Sequence, residues 1–211
     1  MANNMTEEKT VQPYEIGELD QYLFGNGTHY ELYKKMGAHL VTVDGVKGVY
    51  FAVWAPHAKS VSVIGEFNEW DLNADMMQRH DPMGIYTKFV PGAKEGQLYK
   101  FCIETQNGAK IDKADPFANY AELRPGNASR ITDISNLNWS DSSWMKKREK
   151  WDEKTNPMSI YEVHMGSWMR HPGREDEGFY TYREFAERIT EYVKDMGYTH
   201  VELMGISEYP Y

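Results

Sequence analysis

Short alternations of apolar and polar residues, separated by turn signals, occupy residues 38 to about 133 and constrain the fold most. A period of two is typical of strands with one buried side. Turn pairs such as Asp44-Gly45, Pro91-Gly92 and Asn107-Gly108 divide the segments. The predicted strands cover residues 39–43, 48–54, 60–65, 84–90, 97–105 and 128–132. Short strands at this spacing predict an all-β, immunoglobulin-like sandwich of roughly 100 residues.

Two short helices are predicted before the strands. Residues 18–24 are followed by Gly25, and residues 30–36 are followed by Gly37. A glycine just past the last turn is a common helix end. Residues 1–13 are polar, and we expect them to form a disordered tail.

The pattern changes after residue 158 from hairpin-like strands to strand, helix, strand. Residues 160–165 form a predicted strand, and the run Thr181-Tyr182-Arg183-Glu184 is a capping box that predicts a helix start. An apolar stripe at helical spacing follows and ends at Gly197, before a second predicted strand at residues 198–204. A strand, crossover helix and strand make a βαβ unit, so the two strands are predicted to be parallel.

Composition excludes several classes of function. The chain has 23 Lys+Arg against 32 Asp+Glu, a net charge of -9, which argues against nucleic acid or anionic membrane as a partner. Cys102 is the single cysteine, so no disulfide framework is expected. No membrane-length apolar run or signal peptide is visible, and we expect a cytoplasmic, monomeric protein without a cofactor.

Two blocks of sequence resemble known families. Residues 48–58 read GVYFAVWAPHA and residues 61–70 read VSVIGEFNEW, which resembles the family-48 carbohydrate-binding module of the α-amylase superfamily. Residues 160–168 read IYEVHMGSW and residues 198–204 read YTHVELM, which resembles the opening of the family-13 glycoside hydrolase barrel. With YLFGNGTH at residues 22–29, the combination is similar to the 1,4-α-glucan branching enzymes of bacterial glycogen synthesis.

The resemblance implies a division of the chain into four parts. We expect a disordered tail at 1–13, a β-sandwich carbohydrate-binding module with short N-terminal helices at 14–135, and a linker at 136–157. Residues 158–211 would be the first βαβ unit of an incomplete (β/α)8 TIM barrel. Trp139, Trp144 and Trp151 of the linker are expected to anchor it by packing.

The resemblance also implies a reaction. An α-1,4 bond of a glucan such as glycogen or amylose is cut, and the segment is transferred to a 6-hydroxyl. Such retaining chemistry uses two carboxylates about 5 Å apart, at the ends of later barrel strands. No catalytic residue is therefore assigned in this sequence, and the chain alone is expected to be inactive. Two alternatives remain open: a glucan-binding module without catalysis, and a debranching or trehalose-releasing hydrolase.

Candidate substrate contacts come from the matching motifs. Trp70, in the run Phe67-Asn68-Glu69-Trp70, is expected to stack on glucose, with Asn68 beside it and Lys100 assisting. The alternatives are that Trp70 packs on the barrel and that Lys100 is merely solvated. The family's second tryptophan has no counterpart near residues 108–110. Trp168 and Tyr209 are expected to line the glucan groove of the barrel.

Two further features have a simpler interpretation. Glu162, His164, His200 and Glu202 share a two-residue spacing that would suit a metal, but two strands produce that spacing by themselves. We expect no metal site, and buried polar residues inside a barrel instead. Trp54 is flanked by apolar residues and is expected to be structural.

Overall fold

The computed structural model describes residue 12 and residues 14–152, 154–173 and 178–206. The chain divides into two compact units between Leu137 and Asn138. The predicted tail at 1–13 lies outside the described residues apart from Gln12, and the predicted boundary at 135/136 stays a prediction. No helix among the described residues has both the length and the apolar character needed to cross a membrane.

The first unit is built on two antiparallel sheets. The strand order of sheet A is β1-β2-β5-β4, and that of sheet B is β3-β6-β7, with β8 also pairing with β6. The strands of sheet A are β1 (Gly37–Val43), β2 (Val46–Trp54), β4 (Gln78–His80) and β5 (Ile85–Pro91). Those of sheet B are β3 (Ser60–Gly65), β6 (Leu98–Glu104), β7 (Lys110–Lys113) and β8 (Ser129–Arg130). The prediction of a β-rich, sandwich-like unit is confirmed.

The core of this unit is formed by alternate residues of both sheets. Phe51 of β2, Val63 of β3, and Tyr99 and Phe101 of β6 are fully buried in one cluster. The rings of Phe51 and Tyr99 lie 5.1 Å apart. Burying each such side chain contributes about 1.5–3 kcal/mol. The period of two in the sequence therefore places the core correctly.

Residues 14–36 cover the outer face of sheet A. Helix α1 (Glu18–Gly25) is as predicted, but the second predicted helix is only a 3-10 turn at Leu32–Lys34. The helix does not continue, because the Lys35 ammonium lies 3.1 Å from the Asp20 carboxylate and Met36 enters the core cluster that contains Tyr50. This covering segment therefore packs as an irregular layer and not as two helices.

Strands β4 and β7 were absent from the sequence prediction. All four residues of β7 are exposed, and β4 has only three residues, two of them exposed. Both lie at sheet edges, where one side bonds to a neighbouring strand and neither face needs to be apolar. Such strands carry no alternation of apolar and polar residues to detect.

The second unit contains a parallel strand pair. Strands β9 (Ile160–His164) and β10 (His200–Met204) are parallel, as predicted, and Glu162 pairs with Glu202. Helix α4 connects them and buries Phe185 and Ile189 against Val163 of β9. The helices of this unit are α2 (Ser142–Arg148), α3 (Met165–Trp168) and α4 (Tyr182–Asp195).

Helix α2 lies within the segment predicted as a linker, and it buries no residue. Trp139, Trp144 and Trp151 of that segment were expected to anchor it. Trp139 and Trp144 are largely exposed, and the Trp151 ring has an edge contact with His200 at 6.2 Å. The sequence of α2 has no apolar stripe, so it lacks the helical periodicity from which a helix can be predicted.

Replacing Thr181 by alanine should destabilise the start of α4. The Thr181 hydroxyl accepts the Glu184 N–H at 3.3 Å, and the Glu184 carboxylate accepts the Thr181 N–H at 2.8 Å. Losing such a cap costs about 1 kcal/mol. Thr190→Ala is the matched control, because the Thr190 hydroxyl bonds only the Ala186 carbonyl within the helix and alanine is the better helix former. Hydrogen exchange of the α4 peptide should accelerate for Thr181→Ala alone; equal protection would contradict the expectation.

Candidate functional site

A tight turn after β3 presents Trp70. One 3-10 turn at Glu66–Asn68 is followed by two residues in the left-handed region, Glu69 with φ 53° and Trp70 with φ 61°. The Trp70 N–H donates to the Gly65 carbonyl at 2.9 Å. Left-handed conformations are strained for residues other than glycine and persist only where surrounding contacts impose them. The turn leaves 36% of Trp70 exposed.

Asn68 supplies those contacts. Its side-chain oxygen accepts the Gly65 N–H at 2.9 Å, and its amide donates to the Val63 carbonyl at 3.0 Å and to the Asp75 carboxylate at 2.9 Å. Both amide hydrogens are therefore used inside the protein. The structure gives Asn68 an internal role in shaping the turn, and its direct contact with a substrate stays a prediction.

Residue 65 must be a glycine because the turn begins in close contact with β6. A Cβ atom at this position would lie 2.4 Å from the Leu98 carbonyl oxygen and 2.7 Å from the Phe67 ring. The Leu98 N–H in turn donates to the Glu66 carboxylate at 2.8 Å. The turn thus packs closely on β6, which fixes where Trp70 emerges.

Lys100 lies on β6 at the same end of the β3–β6 pair. Its Cα partner is Ile64, one residue before Gly65, and Gly65 pairs with Tyr99. The half-buried Lys100 ammonium donates to the Asn127 side-chain oxygen at 2.6 Å. The strand register therefore brings Lys100 to the base of the turn that carries Trp70.

Asn127 is a residue that sequence reasoning missed. It is exposed and lies two residues before β8, which pairs with β6 at Tyr99 and Leu98. Its loop carries no strand or helix pattern. Its position just before the last predicted strand was the one sequence feature that could have indicated Asn127, because that strand has to pair with the sheet that contains Lys100.

This surface combines three kinds of group. An exposed indole offers an apolar face, the Lys100 ammonium offers three donors, and the Asn127 amide offers donors and an acceptor. A flat ring beside hydrogen-bonding groups suits a polyhydroxylated ring, which has apolar C–H faces and polar edges. The turn between β6 and β7 carries no aromatic residue.

Trp168 lies inside the second unit. Its indole N–H donates to the Tyr161 hydroxyl at 3.0 Å, and its ring meets Phe185 and Tyr192 edge-on at 5.4 and 5.7 Å. These are the contacts of a packing residue, and its role in a glucan groove stays a prediction. Tyr209 lies outside the described residues.

The four polar residues of β9 and β10 do not form a metal site in the described part of the chain. Glu162 and Glu202 are register partners, whereas His164 lies opposite Met204 and His200 opposite Ile160. No group of three His, Cys, Asp or Glu side chains among the described residues is placed to hold a metal ion. All four polar residues are exposed, although burial was expected, because no described element covers this face of the strand pair.

Trp54 was expected to be structural, and the structure shows both its contacts and its exposure. It is 54% exposed at the last position of β2, although its indole N–H donates to the Met83 carbonyl at 2.9 Å. Its ring meets Phe24 of α1 at 5.8 Å. Val53 points into the core, and Trp54 therefore points to the outer face, where α1 covers only part of it.

One family model matches part of the first unit. Residues 35–118 match the family model "Carbohydrate-binding module 48 (Isoamylase N-terminal domain)". The matched range includes the Trp70 turn and Lys100, and it ends before Asn127.

Named relatives match almost the whole chain. A 1,4-alpha-glucan branching enzyme GlgB of Butyrivibrio fibrisolvens is 57% identical over 93% of this chain and 31% of its own length. One of Rhodopirellula baltica is 50% identical over 97% of this chain and 28% of its own. The chain thus spans about three tenths of these relatives.

Solved structures share the fold. The catalytic module of the glycogen-degrading pneumococcal virulence factor SpuA has a TM-score of 0.61 at 21% identity, covering 84% of this chain and 27% of its own. The GBS pullulanase SAP in complex with maltotetraose has a TM-score of 0.59 at 20% identity, covering 84% and 24%. At these identities the likeness concerns the fold alone. Residues 35–118 thus match the carbohydrate-binding module 48 model, and over nearly all of its 211 residues the chain is similar to part of the 1,4-alpha-glucan branching enzymes.

Proposed function

We propose that the first unit binds α-glucan through Trp70, Lys100 and Asn127, as part of 1,4-α-glucan branching in glycogen synthesis. The identity of 57% with a named branching enzyme, over 93% of the chain, carries this proposal. A glucan is neutral, so the net charge of -9 does not oppose its binding. We further propose that the protein acts in the cytoplasm as a monomer, with no nucleic acid or membrane as its partner.

The geometry supports a positional role for each group. The indole of Trp70 would stack on a pyranose face, because its backbone is fixed by the Gly65 carbonyl and its ring is partly exposed. Lys100 and Asn127 would bond to sugar hydroxyls and exchange their mutual 2.6 Å bond for bonds to the ligand. Asn68 would act on binding through the turn and not by contact.

We propose the second unit as the first βαβ part of a (β/α)8 barrel. The support is the parallel pair β9 and β10, with α4 packed on the side that carries Val163 and with Glu162 and Glu202 on the other side. In such barrels the loops after the strands form the active-site face. Trp168 and Tyr209, which follow β9 and β10, would then lie towards that face.

The chemistry would require groups that we do not assign in these residues. Retaining transfer between glucan chains needs a nucleophilic carboxylate and a carboxyl acid/base about 5–5.5 Å apart. We propose that branching enzymes carry this pair outside the three tenths that this chain matches. The part described here would hold the donor or acceptor glucan and add no proton transfer.

Trp70→Ala should weaken glycogen binding by more than about tenfold, the usual cost of removing a central aromatic contact. Affinity electrophoresis in gels with and without glycogen measures this as lost retardation. Trp139→Ala is the matched control, because Trp139 is 77% exposed and lies in the second unit. Equal retardation of Trp70→Ala and the unaltered chain would refute Trp70 as a contact.

A chimera separates branching from the alternatives. This chain would replace the matching region of the Butyrivibrio fibrisolvens branching enzyme, to which it is 57% identical. The chimera should lower the iodine stain of amylose without releasing reducing ends, and the 211-residue chain alone should leave the stain unchanged. Reducing ends released from amylopectin would favour a debranching hydrolase. A chimera without activity that still binds glycogen would favour a binding module without catalysis.

A further inference from the structure

A second concave surface lies on the outer face of sheet A, on the other side of the sandwich from Lys100. It is a groove of about 460 Å³, within the range of roughly 300–1,000 Å³ that small-molecule sites occupy. Tyr50 of β2, Thr87 and Phe89 of β5, and Gln78 and His80 of β4 line it, together with Glu15.

The groove exists because the layer over sheet A is incomplete. Ile16 and Met36 cover Tyr50, Ala52 and Ile85 and form the second core cluster of the unit. Beyond that cluster, the covering segment leaves the edge of the sheet open. There Gln78 pairs with Thr87 and His80 with Ile85, so the polar side chains of β4 stand beside the aromatic residues of β2 and β5.

The lining is polar and aromatic together. His80 Nε2 and the Thr87 hydroxyl lie 2.7 Å apart, and the rings of Tyr14 and Tyr50 lie 5.0 Å apart. One Glu15 oxygen accepts the Gln12 N–H at 3.1 Å, and its other oxygen has no hydrogen-bond partner among the described residues. Gln78 is exposed, and its side chain makes no hydrogen bond within the described residues. Burial lowers the pKa of His80, which keeps its imidazole neutral.

We propose that this groove is a second binding site for a linear, neutral α-1,4-glucan segment, separate from the Trp70 surface. Glu15 and Gln78 would bond to sugar hydroxyls, and Tyr50 and Phe89 would contact the pyranose rings. The lining carries the opposite charges of Glu15 and Lys88, which suits a ligand without net charge. The identity of the ligand as a glucan rests on the proposed function, whereas the site itself rests on the groove and its lining.

The two sites would engage different chain segments. The groove lies on the outer face of sheet A, whereas Lys100 lies on sheet B, and a branched polymer can offer separate ends to the two. Two sites of modest affinity would then bind glycogen more tightly than a single maltooligosaccharide, because the second contact is made within one particle.

The test uses the whole 211-residue chain with maltoheptaose as the probe, followed by amide chemical shifts. In the Trp70→Ala background, the amides of Gln78 and Thr87 should still shift and saturate. Adding Gln78→Ala and Glu15→Gln should weaken this remaining binding about tenfold, since the first removes a hydrogen bond and the second replaces a charged acceptor by a weaker neutral one. Gln106→Ala, an exposed glutamine in the turn between β6 and β7, is the matched control and should change nothing.

Each outcome decides one question. If, in the unaltered chain, the Trp70 indole shifts with maltoheptaose while the Gln78 and Thr87 amides do not, the groove is not a glucan site and the proposed function survives. If neither surface responds to maltoheptaose, both proposals fail. If the groove responds but Gln78→Ala and Glu15→Gln leave the affinity unchanged, the assignment of these two contacts is overturned.

Discussion

Asp115→Ala should lower the free energy of unfolding of the first unit by about 3 kcal/mol. Asp115 is only 6% exposed and accepts two hydrogen bonds, one of them from the fully buried Tyr99 side chain. The Tyr99 hydroxyl donates to it at 2.6 Å and the Phe117 N–H at 2.8 Å. Each donor left without a partner in the interior costs about 1–3 kcal/mol. The Asp115 N–H also donates to Ser129 Oγ at 2.8 Å, so this residue joins β6, β8 and the loop between β7 and β8.

The measurement should report the first unit alone. Urea titration with pulsed hydrogen exchange of the β6 peptide does so, because β6 lies at the centre of sheet B. Asp112→Ala is the matched control: Asp112 is exposed on β7, and its removal should change the stability by less than about 0.5 kcal/mol. Equal effects of the two substitutions would show that the buried hydrogen bonds of Asp115 contribute no net stability.

The same residue predicts a dependence on pH. Burial raises the pKa of the Asp115 carboxyl, although the hydrogen bonds from Tyr99 and Phe117 act to lower it. A raised folded-state pKa gives a stabilising contribution that is complete below the unfolded pKa of about 3.9. That contribution is lost as the pH rises through the folded value. The stability difference between the unaltered chain and Asp115→Asn should therefore be larger at pH 3 than at pH 7.

Asn68→Asp should cost about 3 kcal/mol and should also weaken glycogen binding. The substitution adds no bulk, but it replaces an amide that donates to the Val63 carbonyl and to Asp75 by a second carboxylate. Two carboxylates would then face each other across 2.9 Å, with only the distant Lys88 ammonium, 3.8 Å from Asp75, to offset them. The turn would open, and Trp70 would lose its left-handed geometry.

Asn127→Asp provides the control of opposite sign. It makes the same chemical change where the neighbour is the Lys100 ammonium, so the new carboxylate gains an ion pair. The stability of this variant should equal or exceed that of the unaltered chain. Unfolding and affinity electrophoresis on both variants test the pair, and a stable Asn68→Asp chain with full glycogen retardation would contradict the role assigned to Asn68.

The sequence was sufficient for features that are set by local patterns. Alternation located β2, β3, β5 and β6, and the Thr181 capping box located the start of α4. The parallel direction of β9 and β10 followed from the helix between them. The family resemblance supplied Trp70 and Lys100, and the register of β3 and β6 explains why they lie at one end of the sheet.

The remaining features depend on contacts between distant residues. Asn127 accepts a hydrogen bond from Lys100 because β8 pairs with β6, and no local sequence pattern predicts that pairing. The internal use of the Asn68 amide depends on Asp75, seven residues away on the strand-like segment beside β3. Trp54 follows a run of buried residues, and only the position of α1 decides how much of its ring stays exposed.

The edges of the two sheets determine where two copies of the protein could pair strand to strand. An unpaired strand edge is a template on which another molecule can add a strand. Here β4 is three residues long, β7 carries Lys110, Asp112 and Lys113, and the outer edge of β3 is occupied by hydrogen bonds to Asp75 and Met77. Only β1, seven residues long, offers an open edge in the first unit as described. Edge-to-edge pairing between the first units of two molecules would therefore begin at β1.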